Sequence, residues 1–341
     1  MILLDGAFLN NKMMNESTMG ECAPVLLLGF NRPDFMAAQI DAIRLARPRR
    51  VYVAVDGPHT DRKDEEEKCR KVRECVKLID WPCEVQTRFS EKNLGCKHAV
   101  SGAITWFFEN EESGIVLEDD CRPTIDFLRF ASEMLIRYKD DERIGAVNGF
   151  NRGCYQSDEK YSYHFSSHMF VWGWASWRRV WKNYNVDLDS SGVDVANVLQ
   201  NVPLTRYMRR FYAGLVADLS NGLSTWDVQL SILLFSKGWL SIVPRERLVI
   251  NSGVADDRAT HTGGYVYWAK DWVKAGRMDF PVRHPEAVVC DRQADRAREL
   301  YEGAFFPRGL TWLGSKFPSM CKVLTSLGEF VERFAPWLFK L

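Results

Sequence analysis

Net charge is absent from this chain of 341 residues: Lys and Arg total 45, and so do Asp and Glu. A balanced chain has no overall field to draw it to nucleic acid or to an acidic surface, so a ligand must be recognised through local charge. Metal-binding cysteine spacing is missing as well. The nine cysteines are odd in number and none stands as Cys-x-x-Cys, which argues against a disulfide framework or a zinc site and for reduced thiols in a cytoplasmic protein. Long apolar runs are also lacking. Residues Met1 to Glu21 have no basic start followed by an apolar stretch, unlike a secretory signal. Tyr161 to Trp177, free of formal charge, is broken by Ser, His and Gly and is too short to span a bilayer. No repeat or low-complexity block occurs. An apolar share of 46% supports a sizeable core.

What is present alternates. Pro24 to Phe30 is a short apolar run, a buried first strand, and Asn31-Arg32-Pro33-Asp34 opens a helix with Pro33 where its missing amide costs least. Met36, Ile40, Ile43 and Leu45 form that helix's apolar face. Val51 to Val55 is a second strand ending in Asp56-Gly57. Asp61 to Ile79, dense in both charges, carries Cys69, Val72, Val76 and Ile79 at helical spacing. Cys83 to Phe89 is a third strand, and the helix after Asn93-Leu94-Gly95 turns Ala99, Ala103, Ile104 and Phe107 inward. Ile115 to Leu117 is a fourth strand, Phe127 to Tyr138 an amphipathic helix, and Ile144 to Asn148 a fifth strand. Such alternation predicts an α/β fold with a doubly wound, mostly parallel, Rossmann-like sheet and a nucleotide-sized crevice. Past Asn151 an aromatic-rich stretch leads to helices over Tyr207–Leu219 and Ser224–Lys237 and a strand over Trp239–Val243. Asp187 to Asn201 is polar and weakly periodic.

The chemistry-bearing residues collect at predicted strand ends. Glu118-Asp119-Asp120 follows the fourth strand, at the edge where open α/β sheets hold ligands. Three adjacent acids call for a hard divalent cation; read plainly, they are a solvated loop before a helix cap. Asp56 is placed to accept a hydrogen from a nucleotide base, or simply to close a turn. Arg32 is placed to stack on a base or fork a phosphate, and Lys97 and Arg122 are further cations on that edge. Asp227, after Trp226, is either a cap or a general base whose proton affinity the indole would raise. Trp172 and Trp174 are core residues or platforms for sugar rings. His261, among hydroxyls and beside Gly263-Gly264, could reach phosphate or metal from a lid, or lie in an ordinary polar turn.

In the order Val25-Leu-Leu-Leu-Gly-Phe-Asn-Arg32, Val-Ala-Val-Asp56, Asn93-Leu-Gly95, Leu117-Glu118-Asp119-Asp120, Trp172-Gly-Trp174 and Trp226-Asp227, the chain resembles the GT-A sugar-nucleotide glycosyltransferases. It is most similar to the group that includes N-acetylglucosaminyltransferase I and its bacterial relatives of unassigned specificity. The resemblance covers roughly Pro24 to Gly264. It implies a GT-A-like fold and an inverting transferase that uses Mn2+ or Mg2+ and moves a hexose or GlcNAc from a UDP-sugar donor to a glycan or lipid-linked glycan hydroxyl, as in polysaccharide biosynthesis. It implies Asp120 as metal ligand, Glu118 towards the ribose, Arg32 and Asp56 flanking the base, and Asp227 as catalytic base; Asp119 and Lys97 are expected beside the donor, and Trp172, Trp174 and Trp226 on the acceptor side. Val228-Gln229 departs from the animal enzymes, where a second acid or an aromatic can follow the base.

The expected organisation is a poorly ordered leader (1–23), a nucleotide-sugar-binding half (24–150), an acceptor-binding and catalytic half of the same domain (151–264) and an extension (265–341) ending in an amphipathic helix. In that tail Phe317, Met320, Leu324, Leu327, Val331, Phe334 and Leu338 recur every three to four residues beside an excess of Lys and Arg. Such a helix fits a bilayer interface on the inner face of the membrane, or docking on its own domain or on the second subunit of a homodimer. Two other functions compete: a sugar-1-phosphate nucleotidylyltransferase, for which Gly29-Phe30-Asn31-Arg32-Pro33 is a poor phosphate loop, and a non-catalytic nucleotide- or carbohydrate-binding protein.

Overall fold

The computed structural model describes residues 21–152, 159–255 and 274–305. The leader up to residue 20 and the amphipathic tail from residue 306 lie outside them. In chain order the elements are β1 (Val25–Gly29), α1 (Pro33–Arg44), β2 (Arg50–Val55), α2 (Glu65–Glu74), β3 (Glu84–Phe89), α3 (Gly95–Asn110), β4 (Ser113–Leu117), β5 (Cys121–Pro123), α4 (Ile125–Arg137) and β6 (Ile144–Asn148). There follow β7 (Tyr163–Ser166), β8 (Trp174–Trp177), α5 (Arg178–Trp181), α6 (Val195–Asn201), α7 (Arg206–Ser220), α8 (Asp227–Lys237), β9 (Leu240–Pro244), β10 (Val249–Asn251) and α9 (Arg292–Phe305).

An eight-stranded sheet in the order β3-β2-β1-β4-β8-β6-β9-β7 organises the fold. Six strands run one way; β8, between β4 and β6, and β7, at the edge, run the other. The apolar run of β1 follows from helices on both faces. Val25 and Leu27 join Met36, Ile40 and Val72 from α1 and α2, whereas Leu26 and Leu28 join Ile104 and Phe107 from α3. On the same principle Phe127, Phe130, Ala131 and Met134 bury one face of α4, whose first turn is capped where Thr124 Oγ1 accepts from the Phe127 amide at 3.2 Å. A third apolar cluster joins α6, α7 and α8.

The two antiparallel strands come from the aromatic stretch that periodicity left unassigned. All four residues of β8 are buried, so it has no inside-outside alternation to reveal it. Four helical readings also change. The helix expected from Asp61 begins at Glu65, with a 3-10 turn from Cys75 to Leu78 after it. Leu45 lies beyond α1 and is 59% exposed. The helix expected from Ser224 begins at Asp227. The weakly periodic segment after Asp187 holds α6, capped where Asp194 accepts from the Asn197 amide at 3.0 Å. Among the described residues no helix is long and apolar enough to cross a membrane, and the cysteines Cys22, Cys69, Cys75, Cys83, Cys96, Cys121 and Cys290 are free thiols.

Candidate active site

The carboxyl ends of β1, β2 and β4 bring Arg32, Asp56 and Glu118-Asp119-Asp120 to one edge. The β4 strand is buried up to Leu117, and the chain then turns so that the Cys121 amide donates to the Glu118 carbonyl at 2.8 Å. Gln39, fully buried in α1, donates to that same carbonyl at 2.5 Å. It therefore anchors the acidic turn, and a lone polar residue inside an apolar helix stripe was the available sign of it.

Asp119 and Asp120 do not share one role. Arg32 Nε donates to Asp119 Oδ2 at 2.9 Å, its Nη2 donates to Asp119 Oδ1, and the same Nη2 stands 3.5 Å from Asp120 Oδ2. The guanidinium also lies 4.6 Å from the Phe35 ring centroid. Arg32 is thus held by the acids in this structure, and Asp119 is an arginine clamp. Among the described residues the donors near the Asp120 carboxylate all stand far off, Arg32 Nη2 and Asn251 Nδ2 at 3.5 Å and Cys121 Sγ at 3.6 Å. Burial, then the charge of Asp119, raises its carboxyl to about 6, with Arg32 acting in the opposite direction. Burial likewise pushes the Glu118 carboxyl well above its ordinary value, reinforced by Asp120, Asp227 and Asp119.

That last interaction matters because Asp227 comes from α8, far along the chain. It follows the N-cap residue Trp226 and accepts a hydrogen bond from Thr225 Oγ1. The amide of Lys97 donates to Ser224 Oγ at 3.3 Å, which ties the start of α3 to the loop before α8. Burial, and the charges of Glu118, Asp227, Asp119 and Asp56, raise the Cys96 thiol to about 12. Lys97 Nζ is engaged by Asp187 Oδ1 at 2.6 Å.

Asp56 closes a turn. Its carboxylate accepts from the amides of Gly57 at 2.8 Å and Leu94 at 3.0 Å and from Asn93 Nδ2 at 3.1 Å. Burial raises its carboxyl, and the backbone donors pull the other way. It still lines a cleft of about 370 Å³ with Gly29, Arg88, Leu94 and His98. Gly57 has no alternative, because a Cβ there would overlap the backbone of Lys92.

The aromatic residues require a correction. Trp174 is 1% and Trp226 2% exposed, and their rings stack on each other at 5.8 Å and 24°. Rings covered on both faces hold the core together and have no free face for an acceptor sugar. Trp172, partly buried, meets Phe150 edge-on at 4.8 Å. His261 lies outside the described residues. Sequence reasoning missed the segment that closes over Asp120: β10 pairs antiparallel with β5, the Ser252 amide donates to the Asp120 carbonyl at 2.8 Å, and a Cβ on Gly253 would fall 2.5 Å from Asp120 Oδ2. No local pattern announces so distant a contact.

Among the described residues no cluster of three His, Cys, Asp or Glu side chains is arranged to hold a metal by itself. A divalent ion would fit Asp120, whose mostly buried carboxylate resists ionisation and gains from a cation. The remaining ligands of such an ion would be water and substrate oxygens.

No family model matches the chain, and no curated protein does. Solved structures overlap it in part. A mannosyltransferase from Pyrobaculum calidifontis in complex with GDP-Man and Mn2+ is 13% identical over 64% of this chain and 70% of its own, with a TM-score of 0.37. The galactosyltransferase LgtC in complex with donor and acceptor sugar analogs is 10% identical over 81% and 94%, at 0.35. A UDP-glucose pyrophosphorylase complexed with UDP-glucose is 8% identical over 65% and 90%, at 0.32. Overlaps this loose establish no family.

Proposed function

We propose that the protein is an inverting, divalent-metal-dependent glycosyltransferase that takes a UDP-sugar donor and transfers a hexosyl or N-acetylhexosaminyl group to a glycan or lipid-linked hydroxyl. The observation that carries this reading is that Asp227 lies within electrostatic reach of Glu118, from elements more than a hundred residues apart. A positioned general base facing a carboxylate edge is what attack on a diphosphate-activated sugar needs. The cleft beside Asp56 is the natural place for the base of the donor, with the Asp56 carboxylate preset by its turn as an acceptor. Glu118 would take the ribose side. Asp120 would hold the metal, which when bound neutralises charge on the departing diphosphate. Asp227 would accept the acceptor hydroxyl's proton while that oxygen attacks the anomeric carbon from the face opposite the leaving group. The acceptor surface passes from the buried Trp174 and Trp226 to Trp172.

The competing nucleotidylyltransferase would need phosphate donors directly after β1, and there Arg32 is bound to Asp119. The decisive experiment is a panel of nucleotide sugars scored for hydrolysis with and without Mn2+, alongside Asp227→Asn. The variant is expected to keep donor binding and lose transfer. Full activity in Asp227→Asn removes the base, and pyrophosphate release from a nucleoside triphosphate supports the alternative.

A further inference from the structure

A second, small pocket, partly open to solvent, lies where β7, β9 and α9 meet, at the end of the sheet opposite β3. Asn151, Arg152, His164, Ser166, Phe170 and Arg298 are among its lining residues. The carboxylate of Glu302 is shared between two guanidiniums, accepting from Arg152 Nε at 2.8 Å and from Arg298 Nε at 3.0 Å. Asp295 also lines it, with its carboxylate engaged by three donors: the Ser167 amide at 3.0 Å and the hydroxyls of Ser166 and Ser167. Arg298 is only 9% exposed and lies 3.8 Å over the Phe170 ring. Among the described residues its Nη1 has no hydrogen-bond partner, and neither does His164 Nδ1.

A buried guanidinium N–H without an acceptor is costly, and its forked donors match the oxygens of a carboxylate or phosphate. We propose that this cavity binds a small oxyanion, carboxylate or phosphate, with Arg298 Nη1 as its principal ligand and His164 beside it. Two sources share that chemistry: an acidic sugar and a free inorganic anion. The cavity adjoins the aromatic side of the sheet, since Phe170 receives support from Asn148, which pairs with Trp174. The inference does not depend on the transferase reading.

Thermal melting of the full chain in EDTA tests it, with inorganic phosphate and with glucuronate as probes, against sodium chloride at equal ionic strength and against glucose. A saturable rise in Tm with glucuronate alone assigns the site to an acidic sugar, and one with phosphate alone assigns it to inorganic phosphate. Arg298→Lys keeps a charge for Glu302 but loses the fork, and is expected to weaken the effective probe about tenfold or more. Should that variant not melt cooperatively, His164→Phe, which fills the cavity from β7, is expected to abolish the rise. No rise beyond the chloride and glucose controls, or a rise that the variants leave unchanged, overturns the proposal.

Discussion

Gly253→Ala probes the candidate site without removing any functional group. The new methyl would stand 2.5 Å from Asp120 Oδ2, and 3.1 Å from both Asp120 Cβ and Asn251 Oδ1. Carbon and oxygen in ordinary contact need roughly 3.5 Å, so something must yield by about 1 Å. Asn251 Oδ1 is fixed, because it accepts from the amides of Gly253 at 2.8 Å and Val254 at 3.2 Å. Asp120 Oδ2 is the freer atom, since the Arg32 Nη2 donor beside it stands 3.5 Å away. The carboxylate therefore turns away, and overpacking costs about 1–3 kcal/mol of stability. Misplacing a positioned group by about 1 Å costs on the order of 100-fold in catalysis. Metal-dependent nucleotide-sugar hydrolysis should fall by roughly that factor while the protein remains cooperatively folded. The matched control is Gly102→Ala in α3, where the nearest atom would be Arg88 Nη2 at 3.8 Å and helix propensity predicts a gain of roughly 0.5–1 kcal/mol. If Gly253→Ala hydrolyses donor at the wild-type rate over the whole range of Mn2+ concentration, the contact between β10 and Asp120 has no part in the chemistry.

Acid stability should depend on α9. Burial works to raise the Glu302 carboxyl, but Arg298 and Arg152 outweigh it and hold it at about 2, so against an ordinary 4.5 the pair contributes about 3 kcal/mol. A lowered carboxyl stabilises above its unfolded value: the contribution is complete above about pH 4.5 and is lost as pH falls towards 2. Urea unfolding at stepped pH should show this loss in the wild type and not in Glu302→Gln; parallel curves would refute it. Trp226→Ala should cost about 3–5 kcal/mol by chemical denaturation, since it empties a buried stack, and a near-neutral result would return Trp226 to the surface. Cys96 should resist alkylation at pH 8, because its thiol, raised to about 12, stays protonated; rapid labelling located by peptide mass mapping would contradict the crowding of acids around it. Asp187→Ala should leave stability nearly unchanged, because solvent screens the exposed carboxylate's ion pair with Lys97, and a marked loss on melting would make that pair a structural clamp.

The sequence by itself determined the strands and helices that bury a continuous apolar run or a full helical stripe. Pro24 to Phe30 and Phe127 to Tyr138 are of this kind, and their signals are local because each residue's burial follows from its neighbours along the chain. It also placed Asp56 and Glu118-Asp119-Asp120 at strand ends, since a strand and the residue after it cannot be far apart. Tertiary structure alone decided the rest. The two-sided burial of β8 erased its alternation, and the antiparallel insertion of that strand between β4 and β6 carried Trp174 and Trp226 into the core. Only the folded chain turned Arg32 onto Asp119, set Gly253 against Asp120 and brought Asp227 within the field of Glu118. These are contacts between residues remote in sequence. Their partners are selected by packing and charge in three dimensions, and local order carries no record of them.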